Sequence, residues 1–235
     1  MALPMTEYPL IDIHVHTLKG EFPFRPFLVK EEKLLVLAAE SGEESDMIKA
    51  TQQIITNCSF GKVDGESLPI FDMQKVFIEL RKISVSDKIA ARFKCGNEEC
   101  GKSIETDISL DTFQLKTFEE HDPICKINDK LTIEMRYPTA KELSEIAGAN
   151  NQAELYNVAA QCMETLHMAD ETVSGEDISI EDRIEFIDNM TSGQFEILKR
   201  FFESMPVVEN EISFKCPHCE TQNQIYMNGY LDFFV

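Results

Sequence analysis

No stretch of the 235-residue chain approaches the roughly 18 consecutive apolar residues of a membrane-crossing helix, so an integral helical membrane protein is not expected. A secretory leader is not evident either. With seven cysteines, that points to a reducing cytoplasm, where close thiols hold metal more often than they cross-link. Basic residues are scarce, 22 Lys and Arg against 42 Asp and Glu, a net charge of −20. Such a surface repels phosphate backbones and anionic lipids, so nucleic-acid and membrane partners are not expected and basic protein surfaces stay open. A phosphate-cradling loop is missing, because Gly61-Lys62-Val63-Asp64-Gly65 lacks P-loop spacing, and no small-molecule substrate is indicated. Low-complexity tracts and flexible linkers are also missing. What the chain does have is 43% hydrophobic residues, 16 of them Phe, ample for a buried core.

Two cysteine pairs stand out. Phe93-Lys94-Cys95 leads into Cys95-x4-Cys100, and Phe214-Lys215-Cys216 leads into Cys216-x2-Cys219, each followed by a strand-like tail. Two such turns at hairpin tips supply the four thiolates of tetrahedral zinc, so Cys95, Cys100, Cys216 and Cys219 read as one structural Zn2+ site of zinc-ribbon type. Gly96, Gly101 and Pro217 suit the tight turns. The two halves are far apart in sequence, so the ribbon must close around a large insertion. His218 is a spare imidazole inside a turn whose ligand count is already met. Four merely reduced thiols, or a redox-active Cys-x-x-Cys, are the alternatives, and the strand-turn-helix context of the latter is missing. Cys58, Cys125 and Cys162 sit alone in apolar or mixed patterns and read as packing residues.

Hydropathy periodicity predicts an amino-terminal hairpin: alternation over Tyr8–Thr17, a turn at Lys19-Gly20, and a return over Phe22–Phe27 whose prolines, Pro23 and Pro26, confine it to an edge. Helices are expected over Val29–Ser41, Ser45–Cys58 and Pro69–Ser84, with Asp72 complementing the last one's amino-terminal dipole. Strands are expected over Ile104–Leu110 and Leu131–Tyr137, the latter as an extension of the ribbon half. Capping boxes at Thr139-x-x-Glu142 and Thr191-x-x-Gln194 open helices, the first running through Ile146, with further helices over Ala153–Met168 and Ile180–Met190. A last strand is expected from Ile225 through Met227, Leu231 and Phe233 to Val235. The class is α+β: an amino-terminal hairpin and three helices (1–88), a zinc-ribbon sheet (89–138 and 207–235), and a mainly helical insertion (139–206).

Asp12-Ile13-His14-Val15-His16 is the one enzyme-like pattern, because His-x-His on a strand puts two imidazoles on one face, as in metal-dependent barrel hydrolases. Such barrels gather further ligands from later strands, and here one hairpin leads straight into three helices. Asp12, His14 and His16 therefore stand as the alternative to a non-enzymatic role.

The run Phe24-Arg25-Pro26-Phe27-Leu28-Val29-Lys30-Glu31-Glu32-Lys33-Leu34-Leu35, with Leu68-Pro69-Ile70-Phe71-Asp72 and the paired cysteine turns, resembles the T-even-type bacteriophage baseplate hub assembly proteins. The resemblance implies a non-enzymatic morphogenesis factor that binds phage baseplate hub proteins in the cytoplasm of the infected bacterium. A permanent place in the virion's baseplate is the alternative. Phe22, Phe24, Arg25 and Phe27 are the candidate partner contact, since aromatics and Arg are favoured at interface hot spots; the other reading has them pack the hairpin onto the first helix.

Overall fold

The computed structural model describes residues 7–142 and 152–227, arranged as two compact units, 1–116 with 207–235 and 117–206. The first unit opens with strands β1 (Ile11–Val15) and β2 (Gly20–Phe24), paired antiparallel from Ile11↔Phe24 to Val15↔Gly20. Ile13 and Val15 point inward while Asp12 and His14 face out, the period of two that a half-buried strand requires. Pro23 on β2 opposes Asp12 in a sheet of two strands, where its missing N–H costs no further ladder bond.

Three helices follow, α1 (Val29–Ser41), α2 (Glu44–Cys58) and α3 (Ile70–Ser84). Helices α2 and α3 bury broad apolar faces, including Ile48, Ile54 and Ile55 from one and Phe71, Phe77 and Leu80 from the other. Each such side chain contributes about 1.5–3 kcal/mol on leaving water. The hairpin is pinned to α3 by Asp72, whose buried carboxylate accepts the backbone N–H groups of His16 (2.9 Å) and Thr17 (2.8 Å). Asp72 thus serves tertiary docking beyond the dipole role expected of it.

The same unit contains two further hairpins. Strand β3 (Lys88–Lys94) pairs with β4 (Ser103–Ser109), and β10 (Val207–Lys215) pairs with β11 (Gln222–Met227) on one edge and with β5 (Gln114–Lys116) on the other. Lys116 is the register partner of Val207, so the chain leaves for the second unit and returns from it at adjacent ladder positions.

The second unit is a four-stranded antiparallel sheet in the order β6 (Ile124–Asn128), β7 (Leu131–Met135), β8 (Met163–Met168) and β9 (Thr172–Ser174). It packs with α4 (Gln152–Gln161), α5 (Ile180–Asp188) and α6 (Ser192–Glu203) around Ile133, Met135, Val158, Leu198 and Phe201. Two expectations are corrected here. The 131–137 strand belongs to this sheet, paired with β6 and β8, and does not extend the ribbon. The expected 153–168 helix stops at Gln161, and Met163–Met168 is a strand. Guanidinium groups end that helix: Arg136 donates to the Gln161 carbonyl at 3.0 Å and Arg183 to the Ala160 carbonyl at 3.1 Å. Pairing with β7 then overrides the local helical pattern.

Both capping boxes form. The Glu142 carboxylate accepts the Thr139 N–H at 2.7 Å, and Thr191 exchanges hydrogen bonds with Gln194 at the start of α6. The expected continuations to Ile146 and from Leu231 to Val235 lie outside the described residues.

Candidate metal centre

The turn joining β3 to β4 carries Cys95 and Cys100, and the turn joining β10 to β11 carries Cys216 and Cys219. The two tips meet so that all four Sγ atoms lie within 4.8 Å of one another. Cys95 and Cys219 are 3.6 Å apart, Cys100 and Cys216 3.9 Å. A tetrahedron of thiolates at the zinc–sulfur bond length of about 2.3 Å has sulfurs about 3.8 Å apart, so the donor set fits a tetrahedral, thiophilic ion. No disulfide links the four, and among the described residues they form the one cluster of three or more His, Cys, Asp or Glu placed to hold a metal.

The two halves have matching backbones. Cys95 N–H donates to the Lys102 carbonyl and Cys216 N–H to the Thr221 carbonyl, both at 2.9 Å. The residue after each second cysteine is left-handed, Gly101 at φ +52° and Glu220 at φ +61°. Glycine takes that conformation freely; Glu220 carries a steric cost on the order of 1 kcal/mol. Phe93 and Phe214, the equivalent lead-in residues, stack at 5.7 Å, and Phe214 packs against the cysteine cluster.

A second layer of polar groups holds the tips. Asn223 Oδ1 accepts the Gly96 N–H at 2.8 Å, and Asn97 Nδ2 donates to Thr221 Oγ1 at 3.2 Å, both bonds crossing from one hairpin to the other. The His218 N–H lies 3.4 Å from Cys216 Sγ, so this residue serves the site through its backbone. Sequence reasoning missed Asn97, Thr221 and Asn223. Their signal was short polar side chains in and just beyond turns, too common to single out.

Three of the thiols are shifted, one down and two up. Hydrogen bonding with Thr221, through its side chain and backbone, draws the Cys219 thiol down to about 6. At Cys100 the Lys102 N–H pulls downward, but burial and the neighbouring sulfurs push the thiol up to about 11. At Cys95 the Asn97 N–H likewise pulls downward, and burial together with Cys219 and Cys216 raises the thiol against it. The neighbouring thiols hydrogen-bond to the Cys219 sulfur and favour its thiolate, and by the same bonds Cys95 and Cys100 hold their protons until a cation completes the donor set.

The remaining candidates are dispersed. Asp12 and His14 lie on the exposed face of the hairpin, while His16 sets its ring edge-on to Phe71 at 6.1 Å. They share no metal-ligating cluster, so the hydrolase alternative is set aside. Phe24, Arg25 and Phe27 are buried, and Phe22 is half-buried. Phe27 stacks on Phe77 at 6.5 Å, and Arg25 donates to the buried Glu31 carboxylate at 2.8 Å. These side chains therefore lock the hairpin-to-helix junction, and an exposed contact built on Phe24, Arg25 and Phe27 is corrected. A single sequence could not show that Arg25 has an internal partner six residues on.

A family model described as T4 bacteriophage base plate protein matches residues 5–235. The chain belongs to that family. Membership places it in the phage tail machinery, where its work is protein–protein association in a structural or assembly role and is not catalysis. No curated protein and no solved structure matched the chain. Within this baseplate-family protein no helix among the described residues is long and apolar enough to cross a membrane.

Proposed function

We propose that this protein is an assembly factor of the phage baseplate hub, acting by protein–protein binding in the cytoplasm of the infected bacterium and stapled by one structural zinc ion. The family match over residues 5–235 carries the assembly reading. The sulfur geometry supports zinc, with Cys95, Cys100, Cys216 and Cys219 as its four ligands; the ion supplies a cross-link between two hairpins and no Lewis-acid step. Chelated zinc with no open coordination position is structural zinc. An acidic protein of net charge −20 is suited to cover a basic or apolar face of a hub subunit until its neighbour arrives.

The family description, a base plate protein, favours a second reading: a permanent baseplate component. Quantitative mass spectrometry of purified particles and of hub intermediates captured through a tagged copy separates the two. Enrichment in intermediates and absence from particles supports the assembly factor. Equal stoichiometry in both supports the permanent component, and absence from both overturns the baseplate role.

A further inference from the structure

Helix α1 carries the run Leu34-Leu35-Val36-Leu37-Ala38-Ala39, yet Glu31 and Ala38 are its only buried residues. Val29, Val36 and Leu37 are 66%, 52% and 62% exposed. Their spacing puts them on one side of the helix, at i, i+7 and i+8, opposite the buried Glu31 and Ala38. A helix with this many solvent-facing aliphatics, beside neighbours α2 and α3 that bury theirs, has a face lacking a cover among the described residues.

The charges around that face narrow what covers it. Glu32 and Glu40 lie on α1, and Glu43 and Glu44 follow at the start of α2, where that helix's amino-terminal dipole favours them; none of these carboxylates has an ion-pair partner among the described residues. The last turn of α1 holds Glu40 and no basic residue, so acid sits where the helix dipole already gathers negative charge. Lys33 on the same face and Lys30 beside Leu37, the latter 3.5 Å from Glu31, both lie in the amino-terminal half of α1 and leave Glu40 at its other end unbalanced. A second copy would bring the same carboxylates together, and nucleic acid or an anionic membrane would be repelled.

We propose that the Val29, Val36 and Leu37 face of α1, bordered by Glu32, Glu40, Glu43 and Glu44, docks a baseplate subunit through an apolar patch flanked by Lys and Arg. This rests on the baseplate assembly role and adds where on the chain the contact is made. Aliphatic burial supplies the hold, and the lysines and arginines of the partner relieve the uncompensated end of the helix.

The test places a photo-reactive phenylalanine analogue in the full chain at Leu37, or at exposed Met168 of the second unit as control, in cells infected by the phage that encodes it. Crosslinked peptides are mapped by mass spectrometry. Capture from position 37 of a baseplate subunit, at apolar residues flanked by Lys or Arg, is expected. Yield should fall about tenfold or more with Val36→Asp, and also with Glu40→Lys, each variant melting as the parent does because both sites are exposed. Crosslinks to a second copy or to nucleic acid, or a yield no higher than at Met168, would overturn the proposal. Baseplate subunits captured from the control position alone leave the assembly role standing without this surface, whereas none from either position sinks both.

Discussion

Chelating the metal, or replacing Cys216 by Ser, should lower the stability of the first unit by about 3–4 kcal/mol, and the size follows from topology. An unfolded chain still offers four thiols to zinc, so the ion stabilises the fold by the loop-closure cost that the folded chain has already met. Taken along the sequence, the loop between the two cysteine turns is about 115 residues, for which chain entropy gives about 4.8 kcal/mol. When the first unit alone unfolds, the folded second unit still keeps the ends of its span, next to the Lys116↔Val207 pair, close together and so closes most of that loop. What is left, from Cys100 to Lys116 and from Val207 to Cys216, is about 25 residues and about 3.5 kcal/mol. Urea titrations with and without chelator, followed by circular dichroism and paired with metal analysis, measure the difference. One zinc per chain and a loss of this size are expected for the parent, and no metal for Cys216→Ser. Unchanged stability with chelator, or a further loss of this size when chelator is added to Cys216→Ser, would refute the clasp.

Other expectations concern single sites. Burial alone would raise Glu31, but the Arg25 hydrogen bond and the Leu28 N–H outweigh it and hold the carboxyl below its usual range. Its stabilising contribution is therefore full above the unfolded value of about 4.3 and is lost as pH falls through the folded value. Glu142, held low by Arg136, acts with the same sign, so acid titration of the melting temperature should show a drop beginning near pH 4.5. Glu31→Gln should cost about 3 kcal/mol in urea unfolding at neutral pH, because Arg25 is left buried without its anion. A Cβ on Gly175 would sit 2.0 Å from the Met163 carbonyl oxygen, whereas one on Gly193 would meet open space. Gly175→Ala should thus cost several kcal/mol and Gly193→Ala should stabilise α6 by about 0.5 kcal/mol, a contrast thermal melts will read. In metal-free protein at neutral pH, alkylation timed by peptide mapping should reach Cys219 first, its thiol being near 6. Cys58 and Cys162, pushed up to about 12 by burial, should react only on unfolding.

Much of the local structure was legible because it is written in nearest-neighbour chemistry. The period-two run around Ile13 and Val15, the 3.6-period faces of α2 and α3, and the boxes at Thr139 and Thr191 each reflect a few residues acting on one another. The cysteine turns were legible for the same reason: paired thiols with a shared Phe-Lys lead-in reveal a donor set before any fold is known. Arg25 shows the limit. Its sequence context, aromatic and proline-rich, is that of an interface hot spot as much as of a core, and only Glu31 folding back beneath it decides between them. Phe24 and Phe27 went the same way, into the core, Phe27 against Phe77 of α3.

The sequence by itself determined the class of the molecule, the helices of its amino-terminal half, the sulfur donor set and the sign of its surface, because each depends on composition or on residues close in the chain. Tertiary structure alone decided that β7 pairs with β6 and β8, that Met163–Met168 is a strand, and that Lys116 and Val207 sit side by side where the inserted unit begins and ends. It also decided which aliphatics are left uncovered on α1. Strand pairing and burial are settled by groups far apart in sequence, whose encounter carries no signature in either segment alone.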